Sequence, residues 1–369
     1  MTIINILEES MGDFKVFDYM EKHRYEQVVH FYDPTTGLKG ITVIHNTLLG
    51  PALGGTRLWN YANEEDALID CLRLARGMSY KAAASGLSLG GGKTVLIGDA
   101  AKLNSEAYFR ALGRFVQSLN GRYITAEDVN TSTRDMSYVA METDHVVGLE
   151  GKSGNPSPVT ALGVFHGIKA GLMHKFGNAD IENYSYAVQG AGQTGYYLIG
   201  YLLEAGAKRV CFTEINDKHI ERMKREHPEV RFVAPDEIYS QEVDVFSPCA
   251  LGGTLNSDTI PLLKAPVVAG SANNVLLDED VHGKMLTDRG IIYCPDFVIN
   301  AGGLINVYHE LKGYQRERAL GDAAKIYDRL LEILAIAGRE GVPSQQAAKI
   351  FAKQRMEAVR NVRGNYIPR

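Results

Sequence analysis

A chain of 369 residues is too long for one small hydrophobic core and fits two domains of ordinary size. Hydrophobic residues make up 45% and charged residues 22%, which are the proportions of a globular protein rather than a disordered one. The formal net charge of -5 argues against nucleic acid or an anionic membrane surface as a partner. Apolar runs stay well short of the ~20 residues that span a bilayer.

Cysteine and histidine usage argues against two further kinds of site. The four cysteines, Cys71, Cys211, Cys249 and Cys294, lie far apart in apolar surroundings. This pattern is typical of reduced thiols and predicts a cytoplasmic location. The ten histidines form no HxxxH or HxH pair, so we expect no metal site.

The first part of the chain predicts strands followed by a long helix. Apolar runs around Val28 and at 40–44 are typical of strands, and residues 33–37 of the turn between them. Asn63 is expected to cap a helix whose first turn is acidic and whose apolar residues recur at helical spacing. A glycine-rich loop at 89–92 is expected to lead into a strand.

From about Tyr184, short β-branched runs alternate with helical stretches. Strands are expected at 186–188, 209–215, 243–246, 267–269 and 291–293. This alternation is typical of an α/β fold in which crossover helices join the strands of a parallel sheet. Near the end we expect a long helix at about 323–337 and a last helix, capped by Ser344, that packs on the first domain. Residues 151–158 are the best candidate for a linker between domains.

Residues 186–195 predict a strand that runs directly into a GxGxxG turn and a helix. Gly190 would permit the tight turn, Gly192 would let the backbone approach a pyrophosphate, and Gly195 would let helix and strand pack closely. Glu214 ends the next strand, near the ~20-residue spacing of an acid that binds a ribose diol and repels a 2′-phosphate. The pattern favours NAD over NADP, with a purely structural turn as the alternative. The candidate NAD-binding residues are Gly190, Ala191, Gly192, Gln193, Thr194, Gly195 and Glu214.

Two lysines within residues 73–93, Lys81 and Lys93, lie before and after the glycines at 90–92. Lys81 is expected at the end of a helix and Lys93 where the glycine loop enters a strand. The order GxxxxGK[ST] of a phosphate-binding P-loop is not met, because no glycine stands where its first glycine is required. An amino-acid substrate would need a cation for its carboxylate and a base near its α-carbon, and a lysine shielded from water beside a second cation can act as that base. Asp128 could exchange protons with such a lysine or hold a substrate ammonium, although each residue alone could be a solvated surface charge.

In combination, these segments resemble the Glu/Leu/Phe/Val amino-acid dehydrogenase family along nearly the whole chain after about residue 14. The matching segments are GPALGGTRLW (50–59), RLARGMSYKAAASGLSLGGGK (73–93), TAEDV (125–129), SGNPSPVTALGV (153–164), GAGQTG (190–195), SPCALGGTLN (247–256), GSANN (270–274) and VINAGGLINV (298–307). The resemblance implies an N-terminal substrate-binding and oligomerisation domain with a mixed open sheet, formed by 1–150 with 341–369. It also implies a Rossmann-type, doubly wound parallel sheet in 151–340 that binds NAD.

The resemblance also implies roles for single residues. Lys81 matches the lysine that holds the substrate carboxylate, and Lys93 matches the general base that activates water for attack on the imine. Asp128 matches the acid that assists proton transfer. The remaining substrate-pocket positions that it implies are Leu53, Gly54, Gly55, Met78, Ala126, Leu304 and Val307. The remaining cofactor positions are Thr160, Ala250, Asn273 and Asn274.

Two pocket positions bear on the choice of substrate. Ala126 resembles the leucine enzymes, whereas Leu304 is the residue common in phenylalanine enzymes. Because bulk at both positions narrows the pocket, we expect NAD-dependent oxidative deamination of branched-chain L-amino acids to 2-oxo acids and ammonia. The alternatives are a phenylalanine (aromatic amino-acid) dehydrogenase and a non-catalytic NAD-binding protein on this fold. The resemblance also implies a homo-oligomer, with octamers common among the leucine enzymes.

Overall fold

The computed structural model describes residues 14–362, which fall into two compact units. Among these residues, the first unit contains 14–154, 310–312 and 354–362, and the second contains 155–309 and 313–353. The division after residue 154 lies within the expected linker. Residues 341–353, which the family resemblance assigns to the first domain, lie in the second unit. There, the Gln345 side chain donates to the Glu279 carbonyl, and Lys349 pairs with the Glu279 carboxylate.

The first unit is built on a mixed five-stranded sheet in the order β1–β2–β4–β3–β5. β2 is antiparallel to β1 and β4, whereas β3 is parallel to both β4 and β5. The strands are β1 Gln27–Asp33, β2 Leu38–Asn46, β3 Ala52–Trp59, β4 Gly90–Ile97 and β5 Tyr123–Glu127. The implied mixed sheet and the predicted β1–β2 hairpin are confirmed. β3 and β5 are not among the predicted strands, because Gly54 and Gly55 interrupt the apolar pattern of β3 and β5 is short.

Helices cover both faces of this sheet. They are α1 Val16–His23, α2 Glu64–Ala84, α3 Ala100–Leu103, α4 Glu106–Ser118 and α5 Thr133–Val139. On one face, apolar residues of α2 form a core with residues of β2 and β4, while α4 and α5 fill the other face. Asn63 caps α2 as predicted, since its Oδ1 accepts the Asp66 N–H at 2.8 Å.

The glycines at 90–92 begin strand β4, so the predicted glycine loop at 89–92 is wrong. A side chain at Gly91 would overlap the backbone nitrogen of Ser79 and lie 2.6 Å from the Ala75 carbonyl oxygen. Helix α2 therefore lies directly against the backbone of β4, which only glycine allows. As a result, Lys93 sits within a buried strand rather than at the mouth of a loop.

The second unit is built on a six-stranded sheet in the order β11–β10–β9–β6–β7–β8, and every ladder is parallel. The strands are β6 Ser185–Gln189, β7 Arg209–Thr213, β8 Arg231–Phe232, β9 Val245–Pro248, β10 Val267–Val268 and β11 Ile292–Tyr293. Numbered within this sheet, the order is 6-5-4-1-2-3, which is that of a doubly wound dinucleotide-binding sheet. The predicted parallel sheet is confirmed, and only the two-residue β8 was not among the expected strands.

The helices of the second unit are α6 Ser157–Phe176, α7 Gln193–Glu204, α8 Asp217–Glu226, α9 Glu279–Asp288, α10 Asp296–Ile299, α11 Gly302–Glu310, α12 Arg316–Ala324 and α13 Ile326–Glu340. α6 packs against α7, α12 and α13. The helix expected at 323–337 is α13 together with the end of α12, and the two helices meet at Lys325.

The last helix, α14, runs from Ser344 to Val362, but the predicted cap by Ser344 is wrong. The Ser344 hydroxyl donates to the Tyr293 carbonyl at 2.6 Å, and the Pro343 carbonyl accepts the first helical N–H groups instead. The end of α14 lies in the first unit as expected, where Arg355 donates to the carbonyls of Ala83 and Leu87.

Within residues 14–362, no helix is both long and apolar enough to cross a membrane. In the same part of the chain, no group of three or more His, Cys, Asp or Glu side chains is placed to hold a metal ion. All four cysteines are unpaired.

Replacing Gly91 by alanine is expected to destabilise the protein by about 1–3 kcal/mol, because the added methyl group would overlap the α2 backbone. Gly77→Ala on α2 is the matched control, since an added Cβ there has nothing within 4 Å. That variant is expected to be neutral or stabilised by up to about 1 kcal/mol. Urea unfolding followed by circular dichroism measures both changes, and equal stability of the two variants would refute the close packing of α2 on β4.

Candidate active site

Lys93 and Asp128 form an ion pair in the first unit, with Lys93 Nζ 2.9 Å from Asp128 Oδ2. Lys93 lies on β4 and is only 5% exposed, and Asp128 directly follows β5. A lysine this deeply buried requires a compensating partner, which the carboxylate provides. The residues expected to act as base and acid are therefore in direct contact.

Strand β3, which lies between β4 and β5, has no side chain where the ion pair forms. Gly54 and Gly55 are in register with Thr125 and Ala126 of β5. A Cβ on Gly55 would lie 2.8 Å from the Asp128 Cβ, and one on Gly54 would overlap the Gly92 carbonyl. The absent side chains let the three backbones approach and leave room for Lys93 and Asp128 to meet.

Arg57 is a second cation on Asp128 and was not among the predicted site residues. Its Nε donates to Asp128 Oδ2 at 3.0 Å, and its Nη1 donates to Asp70 Oδ2 at 3.0 Å. Burial alone would raise the pKa of Asp128, but Lys93 and Arg57 outweigh it and hold that pKa below its ordinary value. One sequence signal could have found Arg57: it lies two residues after Gly55 on a strand and thus points to the same face.

The other candidate residues of the first unit lie on α2, β3 and β5. Lys81 occupies the last turn of α2, where a cation suits the negative end of the helix dipole. Met78 is half-buried on the same helix, and Leu53 and Ala126 are buried on their strands.

The glycine turn between β6 and α7 has the predicted form in the second unit. Gly190 adopts a positive φ of 95°, and an added Cβ there would lie 2.9 Å from the Ala250 Cβ. A Cβ on Gly195 would overlap the Gly190 carbonyl, which explains the close packing of helix on strand. At Gly192, by contrast, nothing lies within 4 Å of an added Cβ. Packing within the protein thus accounts for Gly190 and Gly195, and the open space at Gly192 fits the approach of a phosphate group.

Glu214 directly follows β7 and is tied to the glycine turn. Its Oε2 accepts the Ala191 N–H at 3.0 Å, and its Oε1 accepts the N–H groups of Ile215 and Asn216 at 2.8 and 3.1 Å. Partial burial would raise the pKa of Glu214, but these backbone donors hold it below its ordinary value. The carboxylate is thereby kept charged at neutral pH and fixed beside the turn.

The remaining second-unit candidates fall into two groups. Ala250 follows β9, and Asn273 and Asn274 follow β10, so both segments lie at the carboxyl edge of the sheet. The strand order reverses between β6 and β9, and open α/β sheets bind their ligands at this position. Thr160 lies in the first turn of α6 and donates to the Pro156 carbonyl at 3.0 Å. Leu304, which is buried, and Val307, which is half-buried, lie on α11.

Two exposed apolar side chains stand next to cofactor candidates and were missed by sequence reasoning. Ile215 follows Glu214 and is 83% exposed, and Leu251 follows Ala250 and is 76% exposed. Their position in the sequence could have identified them, since each comes directly after a cofactor candidate that follows a parallel strand. Exposed apolar surface beside a ligand-binding edge is typical of side chains that a bound ring covers.

Comparisons with known proteins identify the family of this chain. Residues 25–145 match the family model described as Glu/Leu/Phe/Val dehydrogenase, dimerisation domain, and residues 212–364 match Glutamate/Leucine/Phenylalanine/Valine dehydrogenase. A leucine dehydrogenase from Thermoactinomyces intermedius is 54% identical over 96% of this chain and 96% of its own length. A phenylalanine dehydrogenase from Bacillus thermotolerans is 46% identical over 94% of this chain and 92% of its own.

Among solved structures, the L-tryptophan dehydrogenase from Nostoc punctiforme superposes with a TM-score of 0.86 at 44% identity, covering 94% of this chain and all of that one. Together with the doubly wound parallel sheet of the second unit, these relatives show that the chain is an amino-acid dehydrogenase, an oxidoreductase. The chain belongs to the Glu/Leu/Phe/Val dehydrogenase family, as its motifs predict.

Proposed function

We propose that this enzyme catalyses the reversible, NAD-dependent oxidative deamination of branched-chain L-amino acids, leucine first and also valine and isoleucine. In this reaction the amino acid, NAD⁺ and water give the 2-oxo acid, ammonium, NADH and a proton. The observation that carries the proposal is the ion pair of Lys93 and Asp128, since it supplies a base and an acid 2.9 Å apart in a largely buried position. The 54% identity with a leucine dehydrogenase supports leucine as the substrate.

The residues of the second unit fit a dinucleotide. The space around Gly192, at the N-terminus of α7, would accept a pyrophosphate, and the charged Glu214 would accept hydrogen bonds from ribose hydroxyls and repel a 2′-phosphate. The adenine ring would bury the exposed side chains of Ile215 and Leu251. The further proposed contacts are Thr160, Ala191, Gln193, Thr194, Ala250, Asn273 and Asn274. Bound NAD would supply the chemistry of hydride acceptance from the substrate α-carbon.

The charged residues of the first unit would then divide the remaining work. Lys81 would pair with the substrate carboxylate. In its neutral amine form, Lys93 Nζ would take a proton from the water that attacks the substrate imine carbon. Asp128 would exchange protons with Lys93 over their 2.9 Å contact. The oxygen of Asp128 that faces neither cation would be free to hold the substrate ammonium.

The proposed preference for branched side chains rests mainly on Ala126. This residue is buried on β5 in register with Gly55, so its methyl group would take space that an aromatic ring requires. Leu53, Gly54, Gly55 and Met78 complete the proposed pocket residues of the first unit. Leu304 and Val307 are assigned to the pocket through the family resemblance alone.

We further propose a cytoplasmic homo-oligomer. The family model that matches residues 25–145 describes a dimerisation domain, which supports self-association, and the family resemblance suggests an octamer. Four unpaired cysteines are typical of a reducing compartment.

Phenylalanine is the second candidate substrate, favoured by Leu304 and by the 46% identity with a phenylalanine dehydrogenase. Reduction of NAD measured at 340 nm with each amino acid separates the candidates. We expect kcat/KM for leucine to exceed that for phenylalanine by about tenfold or more, the discrimination that one misfitting group in an apolar pocket provides. A leucine-to-phenylalanine ratio of kcat/KM below one would replace the first candidate by the second.

The same assay measures the cofactor preference. We expect NADP to be used at least about tenfold less well than NAD because Glu214 would repel its 2′-phosphate.

The two lysines are expected to respond differently to substitution. Lys93→Ala should lower kcat by about 10²–10⁴-fold, the usual cost of losing a general base, whereas Lys81→Ala should chiefly raise KM for the amino acid. Asp128 keeps Arg57 as a partner in Lys93→Ala, which favours folding of that variant. Lys102→Ala is the control, since that lysine side chain is 80% exposed. Mild effects of both active-site substitutions on steady-state kinetics would overturn the assignment.

A further inference from the structure

Four charged side chains of alternating sign form a row in the first unit. Lys93 Nζ lies 2.9 Å from Asp128 Oδ2, Arg57 Nε lies 3.0 Å from the same oxygen, and Arg57 Nη1 lies 3.0 Å from Asp70 Oδ2. Tyr61 donates its hydroxyl to this Asp70 oxygen at 2.6 Å. The row begins at the proposed base, ends on helix α2 and has no net charge when all four groups are ionised.

Both cations contact the same oxygen of Asp128. No side chain or backbone group within residues 14–362 donates a hydrogen bond to the other oxygen, Oδ1. Arg57 therefore holds the carboxylate through the same oxygen that contacts Lys93. A guanidinium suits this position because it is always charged and can reach two carboxylates through separate nitrogens.

We propose that Arg57 and Asp70 are positioning residues that set the proton affinity of the Lys93–Asp128 pair. Arg57 acts by direct contact with Asp128, and Asp70 acts by neutralising much of the charge of Arg57. The inference rests on the proposed roles of Lys93 and Asp128 in amino-acid oxidation.

Burial gives these charges a stronger effect than surface charges have. The side chains of Arg57, Asp70 and Asp128 are 18%, 26% and 25% exposed, and that of Lys93 is 6% exposed. Solvent screens charges in such positions less than it screens exposed pairs. Loss of one member of the row would therefore change the field at the Lys93–Asp128 pair.

The other titratable groups beside the row do not replace its members. The thiol of Cys71 on α2 contacts the Lys93 carbonyl, and burial raises its pKa, so it stays neutral. Burial and Asp70 raise the pKa of Tyr61, which keeps this residue a neutral donor. Burial and Asp135 raise the pKa of Glu127, the neighbour of Asp128 in sequence.

The two residues make opposite predictions for the pH dependence of kcat/KM. Arg57→Gln removes a positive charge, so the pair holds its proton more tightly and the rising limb moves to higher pH. Asp70→Asn removes a negative charge, so the pair releases its proton more readily and the rising limb moves to lower pH. Each shift is expected to be about half to one pH unit. The double variant loses one charge of each sign and should return toward the wild-type midpoint.

The experiment measures kcat/KM for leucine with saturating NAD across the rising limb. Arg57→Lys keeps the charge and should keep the midpoint closer to wild type than Arg57→Gln does. Arg110→Gln on α4 is the matched control, because that arginine also pairs with two carboxylates, Glu106 and Glu142, but lies outside the row. Opposite shifts in the two single variants support the inference. Unchanged midpoints, or shifts in the same direction, overturn it, because a merely structural role lowers kcat or stability without this pattern.

A second readout does not depend on activity. Titration of the Asp128 carboxyl carbon by NMR should show its pKa raised by Arg57→Gln and lowered by Asp70→Asn relative to wild type. If the wild-type protein oxidises no amino acid while these shifts appear, the proposed function fails and the electrostatic row stands. If wild type oxidises leucine and the Asp128 pKa is the same in all variants, the inference alone fails. Should Arg57→Gln not fold, Asp70→Asn and Arg57→Lys still decide the outcome.

Discussion

The close approach of three strand backbones at glycine residues is the constraint on which the first unit and its site depend. Gly54 leaves room for the carbonyl of Gly92, and Gly55 leaves room for Asp128. A side chain at either position of β3 would keep Lys93 of β4 and Asp128, which follows β5, apart. The absence of a side chain at Gly91 likewise lets α2 lie against β4 and cover the face of the sheet on which Lys93 is buried.

This packing decides the chemistry of the site through desolvation. A lysine that is 5% exposed is costly unless a carboxylate compensates it, and the pairing in turn holds the pKa of Asp128 below its ordinary value. Arg57 also pairs with Asp128, and Asp70 on α2 pairs with Arg57. The proposed acid and base therefore belong to a row of four charges that sum to zero. The two reactive groups are thus oriented toward each other in a position that bulk water reaches poorly.

The sequence predicted the features that short-range rules govern. The glycine turn at 190–195, the acid at Glu214 and the Asn63 cap all follow from local backbone chemistry, and each lies where it was expected. Features that depend on distant partners were not predictable. The glycines at 90–92 are strand residues because β2 and β3 pair with them and α2 packs on Gly91. The Ser344 hydroxyl bonds to the distant carbonyl of Tyr293 instead of capping its helix. Arg57 and Asp70 meet across a strand and a helix, so no spacing in the sequence pairs them.

The turnover of Gly55→Ala with leucine and NAD tests the central claim most directly. The added Cβ would lie 2.5 Å from the Glu127 carbonyl oxygen and 2.8 Å from the Asp128 Cβ, so the end of β5 would move and carry the carboxylate away from Lys93. The account predicts a fall in kcat of about a hundredfold, since displacements of about 1 Å in a reacting group have this cost. NAD affinity and circular dichroism should stay at wild-type values. A folded Gly55→Ala variant whose kcat stays within about twofold of wild type would contradict the account.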